Sequence, residues 1–230
     1  MRASRTSRRR PVIGSVPDIE VSGFSHPDSP ADSEIAAPGG ETPAPTGAEQ
    51  CVLNVGCGYA PRQRLHPHFQ TGSWREIRLD IDPAVNPDIC CSMTDMSPVA
   101  TDTIDAVWSS HNLEHLHRHE VPLALSEFLR VLRPRGLLML TLPDLQRVAE
   151  LVANDSLEEE AYMSPSGPIT PLDMIFGHVA SLAQGRVHMA HKTGFTAKTL
   201  HRLLVEAGFA EIELRRSPFD LWAKAYKPAA

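Results

Sequence analysis

The sequence predicts an α/β fold built on an open, doubly wound sheet, and two observations carry this prediction. Four short apolar runs lie between residues 51 and 142, and a segment with helical periodicity separates the third run from the fourth. Short continuous apolar runs are typical of strands that are buried on both faces of a parallel sheet. Strands that alternate with helices favour a sheet covered by helices on its faces.

The four apolar runs are the predicted strands, at residues 51–56, 77–81, 104–108 and 137–142. A helix is predicted between the last two runs, because apolar residues recur there at helical spacing, at Val121, Leu125, Phe128 and Leu132. Pro122 is tolerated in the first turn of a helix. The tetrapeptide Arg-Pro-Arg-Gly at 133–136 ends the helix before the fourth strand begins.

The C-terminal part of the chain predicts one helix followed by two strands. Leucines recur at helical spacing at positions 200, 203 and 204, and Gly208 suits the position that follows a helix end. Two apolar segments, about 209–215 and 219–226, flank a Ser-Pro turn and predict an antiparallel pair. Periodicity is weaker over about 155–197, where we expect an inserted, lid-like segment.

Length and composition favour one soluble domain. The chain has 230 residues, of which 42% are hydrophobic, and its formal net charge is −6. This acidic balance disfavours nucleic acid as a partner, since binding it requires a basic surface. No apolar run reaches the roughly 18 residues that span a bilayer, so we expect no membrane segment. The four cysteines lack paired zinc-ligand spacing, which favours reduced thiols in a cytoplasmic protein.

The N-terminal segment differs in character from the rest of the chain. Residues 1–50 contain seven prolines, five glycines and seven serines, and five of the first ten residues are arginines. A segment of this composition cannot bury enough apolar surface to offset its ordering entropy. We therefore expect a disordered tail over residues 1–49 and one folded domain over residues 50–230.

A glycine turn after the first predicted strand, Gly56-Cys57-Gly58, is the sharpest motif in the sequence. Glycines at a strand end let the backbone turn tightly and come close to a ligand, and we expect a helical segment to follow. Asp80 lies 22 residues beyond Gly58, at the end of the second predicted strand. A carboxylate at that position suits the two hydroxyls of a ribose, so the pair predicts a nucleoside site.

Four segments together resemble the class I S-adenosylmethionine-dependent methyltransferases, in particular those of methyltransferase type 11. The segments are LNVGCG at 53–58, LDID at 79–82, DAVWSSHNLEHL at 105–116 and FLRVLRPRGLLMLTLPD at 128–144. The resemblance extends over about residues 50–227. It implies a Rossmann-like, mostly parallel sheet of seven strands whose last strand runs antiparallel. It also implies that the cofactor is S-adenosyl-L-methionine.

The same resemblance implies which residues bind the cofactor. The glycine turn at 56–58 would pass beneath its methionine portion, Asp80 would bind both ribose hydroxyls, and residues 92–95 would flank the adenine. The full set of expected cofactor residues is Gly56, Cys57, Gly58, Asp80, Ile81, Met93, Thr94, Asp95 and Ser110. The chain departs from the family pattern at Asn54, Ala60 and Ser92, and these departures bear on affinity for the cofactor.

The turn after the third predicted strand, residues 109–119, is rich in His and Glu, and the methyl group of the cofactor is expected to point toward it. Ubiquinone-pathway O-methyltransferases and small-RNA 2′-O-methyltransferases are similar here, since they hold a divalent metal with a Glu-x-x-Glu-His motif. Glu114 and His115 match that motif, and His111 replaces its first Glu. His191, in the segment HKTGFT, resembles a later histidine of the RNA enzymes. The resemblance implies a divalent metal bound by His111, Glu114, His115 and His191.

The residue types themselves leave three roles open for this cluster. An unperturbed His titrates near neutral pH, so His111, His115 and His191 are candidate catalytic bases with or without a metal. The third role is structural, with Glu114 capping a helix start. The pattern at 111–115 also matches an inverted zinc-peptidase signature, but that signature belongs on a long helix and not at a strand end. The other histidines of this part of the chain, His66, His68, His117 and His119, are expected to be solvated.

Together these features predict a cytoplasmic methyltransferase that methylates an oxygen of a small-molecule acceptor, such as a saccharide or a vicinal diol. The lid-like segment, with Phe176 and His178, would cover the acceptor. The alternative is a methyltransferase-like module that binds the cofactor without catalysis. A nicotinamide-dependent oxidoreductase is disfavoured, because the glycine turn lacks a third glycine at the right spacing. A nucleic-acid acceptor is disfavoured, because from residue 51 onward 17 Lys and Arg face 21 Asp and Glu.

Overall fold

The computed structural model describes residues 22–23, 49–59 and 65–229. The tail expected over residues 1–49 lies outside the described residues, apart from 22–23 and 49. Among the described residues, no helix is long and apolar enough to cross a membrane.

The described residues form one eight-stranded sheet and a separate hairpin. The strands of the large sheet are β1 (Ser22–Gly23), β2 (Gln50–Val55), β3 (Trp74–Asp80), β4 (Ile89–Cys90), β5 (Ile104–Ser110), β6 (Leu132–Pro143), β9 (Ala210–Arg216) and β10 (Asp220–Tyr226). Their order across the sheet is β1-β9-β10-β6-β5-β2-β3-β4. The hairpin pairs β7 (Tyr162–Ser164) with β8 (Gly167–Ile169).

Seven strands of the large sheet confirm the predicted Rossmann-like arrangement, and the two-residue β1 adds an eighth strand at one edge. The neighbours β6, β5, β2, β3 and β4 pair in parallel. The C-terminal strand β10 is antiparallel to both of its neighbours, β6 and β9. The sheet is therefore mostly parallel and carries an antiparallel C-terminal strand, as predicted.

Five α-helices lie within the described residues. They are α1 (Val121–Val131), α2 (Leu145–Ala153), α3 (Pro171–Phe176), α4 (Val179–Ala183) and α5 (Ala197–Ala207). α1 and α5 confirm the two predicted helices. A capping box between Thr196 and Thr199 starts α5, and Gly208, at φ 97°, ends it in the left-handed conformation that glycine favours.

The sheet buries a different core on each face. Side chains alternate along a strand, so Leu53 and Val52 point to opposite sides. α1 and α5 cover the side of Leu53, where Phe128 is fully buried in the larger cluster. The side of Val52 holds a smaller cluster that includes Phe69 and Trp108.

Several elements differ from the prediction. β3 begins three residues earlier than expected, at Trp74, and β6 begins at Leu132. The pairing of β5 with β6 shifts register after Ile104, so that residues 133–136 are accommodated as an irregularity. The helix expected after the glycine turn would begin within residues 60–64, which lie outside the described residues, and the described part that follows forms a 3₁₀ turn at Pro67–Phe69. Pro67 starts this turn, and a proline stops a helix from extending through it.

The segment expected to act as a lid is built from short elements. Between residues 155 and 197 lie the β7–β8 hairpin, α3, α4 and a 3₁₀ turn at Val187–Met189. α2, which precedes this segment, was not predicted, although Leu145, Val148 and Val152 recur there at helical spacing. Asp144 caps its start by accepting a hydrogen bond from the backbone N–H of Gln146.

Candidate cofactor and acceptor sites

The cofactor motif and the acceptor turn lie at one edge of the sheet. β2, β3 and β5 are parallel neighbours, so their carboxyl ends lie side by side. The glycine turn follows β2, Asp80 ends β3, and Ser110 ends β5. Open α/β sheets bind ligands at this edge.

Gly56 is required by the packing of Asn112 against it. Gly56 has φ 68°, and a Cβ at this position would lie 1.9 Å from Asn112 Oδ1. The Asn112 amide donates to the carbonyl oxygens of Val55 and Ser110, at 2.8 and 2.9 Å. One side chain therefore ties the glycine turn to the acceptor turn, and no sequence motif indicated this role for Asn112.

Asp80 holds the glycine turn in position. Its Oδ2 accepts a hydrogen bond from the backbone N–H of Gly58 at 2.8 Å, and its Oδ1 accepts one from Asp82 at 2.9 Å. A carboxylate accepts up to about four hydrogen bonds, so each oxygen keeps a lone pair for a ribose hydroxyl. The carboxylate is thus oriented by the backbone before any ligand binds.

Arg78 braces the same turn, although no motif pointed to it. Its guanidinium donates to the carbonyl oxygens of Gly58 at 2.8 Å, Asn86 at 3.0 Å and Val85 at 3.3 Å. These bonds join the glycine turn to the turn that follows β3. The sequence indicated this contact only by placing a cationic residue two positions before Asp80, on the same face of the strand.

The residues expected to flank the adenine form a compact turn after β4. The hydroxyls of Ser92 and Thr94 lie 2.7 Å apart and share a hydrogen bond. Met93 packs partly against the larger core, and Asp95 is exposed. The Asp95 carboxylate accepts from the backbone N–H of Ser97 at 3.2 Å, so it shapes the turn as well as facing solvent.

Three other expected cofactor residues differ in burial and in the chemical group that they present. Cys57 is buried, and desolvation raises the pKa of its thiol to about 11, so it is protonated at neutral pH. Ile81 is 55% exposed and leaves an apolar surface open beside Asp80. The hydroxyl of Ser110 lies 3.0 Å from that of Thr141 on β6.

Two of the departures from the family pattern can be located. Asn54 is buried on β2, and its amide donates to Glu76 on the neighbouring strand at 2.8 Å. The amide therefore has a protein partner on β3. Ser92 is engaged with Thr94, and Ala60 lies outside the described residues.

The acceptor turn is centred on the buried carboxylate of Glu114. It lies in the 3₁₀ turn Leu113–His115, and 1% of its side chain is exposed. His111 Nδ1 lies 3.3 Å from its Oε1. Beyond this ion pair, neither oxygen has a hydrogen-bond partner among the described residues. A buried charge with so few partners is costly.

Two histidines lie beside Glu114: His115, of the same turn, and His191, of a distant segment. Glu114, His115 and His191 each place one ligand atom within 4.8 Å of the other two. His115 Nδ1 lies 3.2 Å from the carbonyl oxygen of Ala190, and His191 Nδ1 lies 2.9 Å from that of Met174. Because a carbonyl oxygen only accepts, Nδ1 carries the hydrogen in each ring and Nε2 of the neutral ring keeps its lone pair. Metal-binding histidines are usually oriented by such a bond.

Backbone hydrogen bonds dock the His191 segment against the acceptor turn. The carbonyl oxygen of Glu114 accepts from the N–H groups of Lys192 and Thr193, at 2.8 and 3.2 Å. The N–H of His191 donates to the carbonyl oxygen of Phe176 at 3.1 Å. The fold therefore brings three of the four expected metal ligands into one group.

His111 is placed differently from the other three expected ligands. It has φ 54°, a strained conformation for a residue other than glycine. Its Nδ1 faces Glu114, and its Nε2 lies 3.6 Å from Asp220 Oδ1. Desolvation opposes the charged ring, but the Glu114 hydrogen bond and the Asp220 charge outweigh it and raise the His111 pKa to about 9. In this state His111 is a cation between two carboxylates and has no free lone pair for a metal or a proton. No pattern in the sequence indicated that Asp220 belongs to this site.

Glu114 and His191 are held in the charge states that a ligand or base needs. Burial opposes ionisation of Glu114, but the hydrogen bond and charge of His111 lower the Glu114 pKa below its usual value. Burial lowers the pKa of His191. At neutral pH the site therefore holds an ionised Glu114 and a neutral His191.

A cavity of about 230 Å³ opens beside Glu114 and His191. Its wall is mostly apolar and includes Pro143, Leu145, Met174, Ile175, Phe176 and Phe195. Phe176, expected to cover the acceptor, belongs to this wall. His178 is not part of it, and its Nδ1 lies 2.8 Å from the hydroxyl of Ser181.

The histidines outside this site fall into two groups. His117 and His119 are exposed, with their rings stacked 5.7 Å apart, and His68 is also exposed. The expectation that His66 is solvated is wrong. Its ring lies 5.5 Å from those of Trp108 and Trp222, and desolvation lowers its pKa to about 4.

Comparison with known proteins agrees with the fold. Residues 53–140 match the family described as "Methyltransferase domain". A SAM-dependent methyltransferase from Methanosarcina mazei is 16% identical, with a TM-score of 0.53 over 80% of this chain and 95% of that protein. A putative S-adenosylmethionine-dependent methyltransferase from Listeria monocytogenes is 16% identical, with a TM-score of 0.52 over 78% and 91%. No curated protein matches the sequence significantly.

A third similar structure is the CurJ carbon methyltransferase. It is 11% identical, with a TM-score of 0.53 over 81% of this chain, which spans half the length of that protein. At such identities the structural likeness shows the fold alone. The family match covers residues 53–140, from β2 to β6, which is less than half of the chain, and it agrees with the methyltransferase-like fold of these structures. The resemblance of the acceptor turn to metal-dependent O-methyltransferases stays a prediction.

Proposed function

We propose that the protein is an S-adenosyl-L-methionine-dependent methyltransferase that methylates an oxygen of a small molecule with neighbouring oxygens, such as a vicinal diol or a saccharide. The observation that carries this proposal is the cluster of buried Glu114 with half-buried His115 and His191, at the sheet edge that holds the cofactor motif. A module that only binds cofactor has no use for a buried charge beside an apolar cavity, so the cluster favours an enzyme over the non-catalytic alternative.

The cofactor fits the cradle formed by the glycine turn and the end of β3. Asp80 has lone pairs left for two ribose hydroxyls after accepting from Gly58 and Asp82. Ile81 offers an apolar surface to the base, and Ser110 lies where β5 ends next to the acceptor turn. These residues bind and orient the cofactor and leave its methyl group directed to the acceptor.

Methyl transfer is an in-line displacement at a carbon that the sulfonium already activates. The acceptor oxygen forms a bond to the methyl carbon, and the carbon–sulfur bond breaks with its electron pair left on sulfur. The protein therefore aligns the acceptor and takes up its hydroxyl proton. His115 and His191 each keep an Nε2 lone pair beside Glu114, so this cluster supplies the candidate bases.

The donor set also fits a divalent metal. Two imidazoles and one carboxylate suit Zn²⁺, Mn²⁺ or Fe²⁺ better than Mg²⁺, which prefers oxygen ligands. Glu114, His115 and His191 would hold the ion, and His111 would join them only after losing the proton that Glu114 and Asp220 stabilise. When bound, the metal lowers the pKa of an acceptor hydroxyl and orients its neighbouring oxygen.

The state of the cysteines supports a cytoplasmic location. Cys51, Cys57, Cys90 and Cys91 are all free thiols. Oxidising compartments favour disulfides and the cytoplasm keeps thiols reduced, so four unpaired cysteines suit the cytoplasm.

The proposal is tested by incubating the full chain with labelled cofactor and a panel of diols, phenols and saccharides. Each acceptor is assayed with chelator, with added Mn²⁺ and with added Zn²⁺. We expect transfer of the label to an oxygen and a loss of transfer with chelator. Absence of any melting-temperature shift with S-adenosylhomocysteine would reject the function, because a ligand of the folded state raises stability. Transfer that is indifferent to chelator, in protein without bound metal, would reject the metal and leave the histidine base.

A further inference from the structure

The cavity beside the acceptor cluster has a mostly apolar wall and one pair of neighbouring ionisable groups. Glu114 and His191, whose ligand atoms lie within 4.8 Å of each other, form this pair. Leu145, Phe195 and Pro143 belong to the apolar part. An acceptor that enters this cavity must therefore present its reactive oxygen to this pair and an apolar body to the rest.

Several backbone groups of the wall are already hydrogen-bonded within the protein. The N–H groups of Lys192 and Thr193 donate to the carbonyl oxygen of Glu114. The carbonyl oxygen of Phe195 accepts from the N–H of Leu145 at 2.9 Å. Apart from Glu114 and His191, Lys192 and Thr193 supply the ionisable or hydroxyl side chains of the wall, and Lys192 is exposed.

Phe176 is held at this cavity although 57% of it is exposed. It is the last residue of α3, and its carbonyl oxygen accepts from the N–H of His191. Gly177 follows at φ 96°, where a Cβ would lie 1.9 Å from the carbonyl oxygen of Met189. The backbone around Phe176 is thus closely packed while its ring stays open to solvent. An exposed, positioned aromatic ring at a cavity suits contact with an apolar or aromatic ligand.

We infer that the acceptor is a single-ring aromatic compound bearing a hydroxyl group, and not a saccharide; this inference rests on the proposed function and names its acceptor class. The hydroxyl lies at the Glu114–His191 pair, and the ring packs between Phe176 and the apolar wall. A saccharide carries hydroxyls in every direction, and this wall would bury several of them without partners. The volume of about 230 Å³ is below that of sites for drug-sized ligands, which favours one ring.

The inference is tested by measuring binding of three probes to the full chain saturated with S-adenosylhomocysteine. Catechol carries two neighbouring hydroxyls on an aromatic ring, cis-1,2-cyclohexanediol carries them on a saturated ring, and methyl α-glucoside is a saccharide. We expect catechol to bind roughly tenfold more tightly than methyl α-glucoside, with the cyclohexanediol between them. Calorimetry or ligand-detected NMR measures each dissociation constant without requiring turnover.

Variants locate the binding to this cavity. Phe176→Ser should weaken catechol binding by about fivefold, and Phe176→Leu should restore part of the loss, because an aliphatic side chain still excludes water. Val205→Ser is the matched control: Val205 is 52% exposed on α5 and does not line the cavity. It should leave catechol binding unchanged.

The outcomes separate this inference from the proposed function. Methyl α-glucoside that binds as tightly as catechol, or catechol binding that Phe176→Ser does not weaken, overturns the aromatic acceptor while cofactor binding stands. Failure of S-adenosylhomocysteine itself to bind overturns the proposed function and the inference with it.

Discussion

Two carboxylates at the same edge of the sheet, Asp80 and Glu114, differ in how the protein around them satisfies their charge. Asp80 accepts hydrogen bonds from the backbone of Gly58 and Asp82. Glu114 is almost fully buried and, apart from His111, has no hydrogen-bond partner among the described residues. The cofactor cradle is therefore formed in advance by its own backbone, whereas the acceptor centre contains a buried charge whose ion-pair partner is His111.

The two regions also differ in where their parts come from. The cradle joins the ends of two neighbouring strands, and Gly58 and Asp80 are 22 residues apart. In the acceptor centre, His115 bonds to Ala190, 75 residues away. The acceptor centre therefore depends on the docking of a distant segment, and changes there should affect chemistry more than cofactor binding.

The largest expected effect is that of Glu114→Gln, which removes the buried charge and keeps the shape of the side chain. We expect turnover to fall by about 10²–10⁴-fold, the range for loss of an acid–base group. Affinity for S-adenosylhomocysteine should change by less than about twofold, because Glu114 serves the acceptor. Steady-state kinetics and calorimetry measure the two effects. Glu120→Gln is the control, since Glu120 accepts from the N–H of His117 outside the cluster; equal losses in both variants would contradict the role of Glu114.

Asp80→Ala tests the other side of the comparison. Two hydrogen bonds from ribose hydroxyls to a charged group are lost, each worth about 1.5–3 kcal/mol. Affinity for S-adenosylhomocysteine should fall by at least about 100-fold, and its melting-temperature shift should largely disappear. Asp82→Ala is the matched control, because its side chain caps the next turn through the N–H of Ala84. Wild-type affinity in Asp80→Ala would end the cofactor assignment.

Arg78→Lys tests how much cofactor binding depends on the hydrogen bonds of the Arg78 guanidinium. A lysine cannot reach the carbonyl oxygens of Gly58, Asn86 and Val85 together, as the guanidinium does. Loss of an ordinary hydrogen bond costs about 1 kcal/mol, so we expect affinity for S-adenosylhomocysteine to fall by roughly fivefold. The maximal rate should change less than the KM for the cofactor. Arg75→Lys, on the same strand but paired with Glu49, should leave both values unchanged.

The smallest expected effect is a pH dependence of stability that comes from His111. Its folded pKa of about 9 lies above the ordinary value of 6.5, so its contribution is fully present below pH 6.5 and is lost as the pH rises through 9. In the presence of chelator, the melting temperature should decline over this range, and His111→Gln should reduce the decline. The effect is limited because 42% of the side chain is exposed and solvent screens its pairs. His119→Gln serves as control, and equal declines in wild type and His111→Gln would contradict the ion pairs.

Features that depend on neighbouring residues in the chain were predictable. Six strands of the large sheet (β2, β3, β5, β6, β9 and β10) were predicted from apolar runs, and α1 and α5 from apolar periodicity. The Gly208 cap follows from the backbone freedom of glycine. The pairing of the glycine turn with Asp80 was also predictable, because both stand at the ends of consecutive strands. In contrast, the hydrogen bonds of Arg78 and Asn112 to the glycine turn were not predicted, because they depend on which backbone groups lie opposite in the fold. α2 was also missed, although its apolar residues recur at helical spacing.

By itself, the sequence determined the fold class, the cofactor motif and the residue types of the acceptor turn, because spacing along a chain places strand ends and turns. The tertiary structure determined the burial, orientation and charge state of those residues. It buried Glu114, placed His115 and His191 against backbone carbonyls that orient their rings, and set His111 between Glu114 and Asp220. Burial, ring orientation and charge state depend on which distant segments pack together, and no local pattern carries that information.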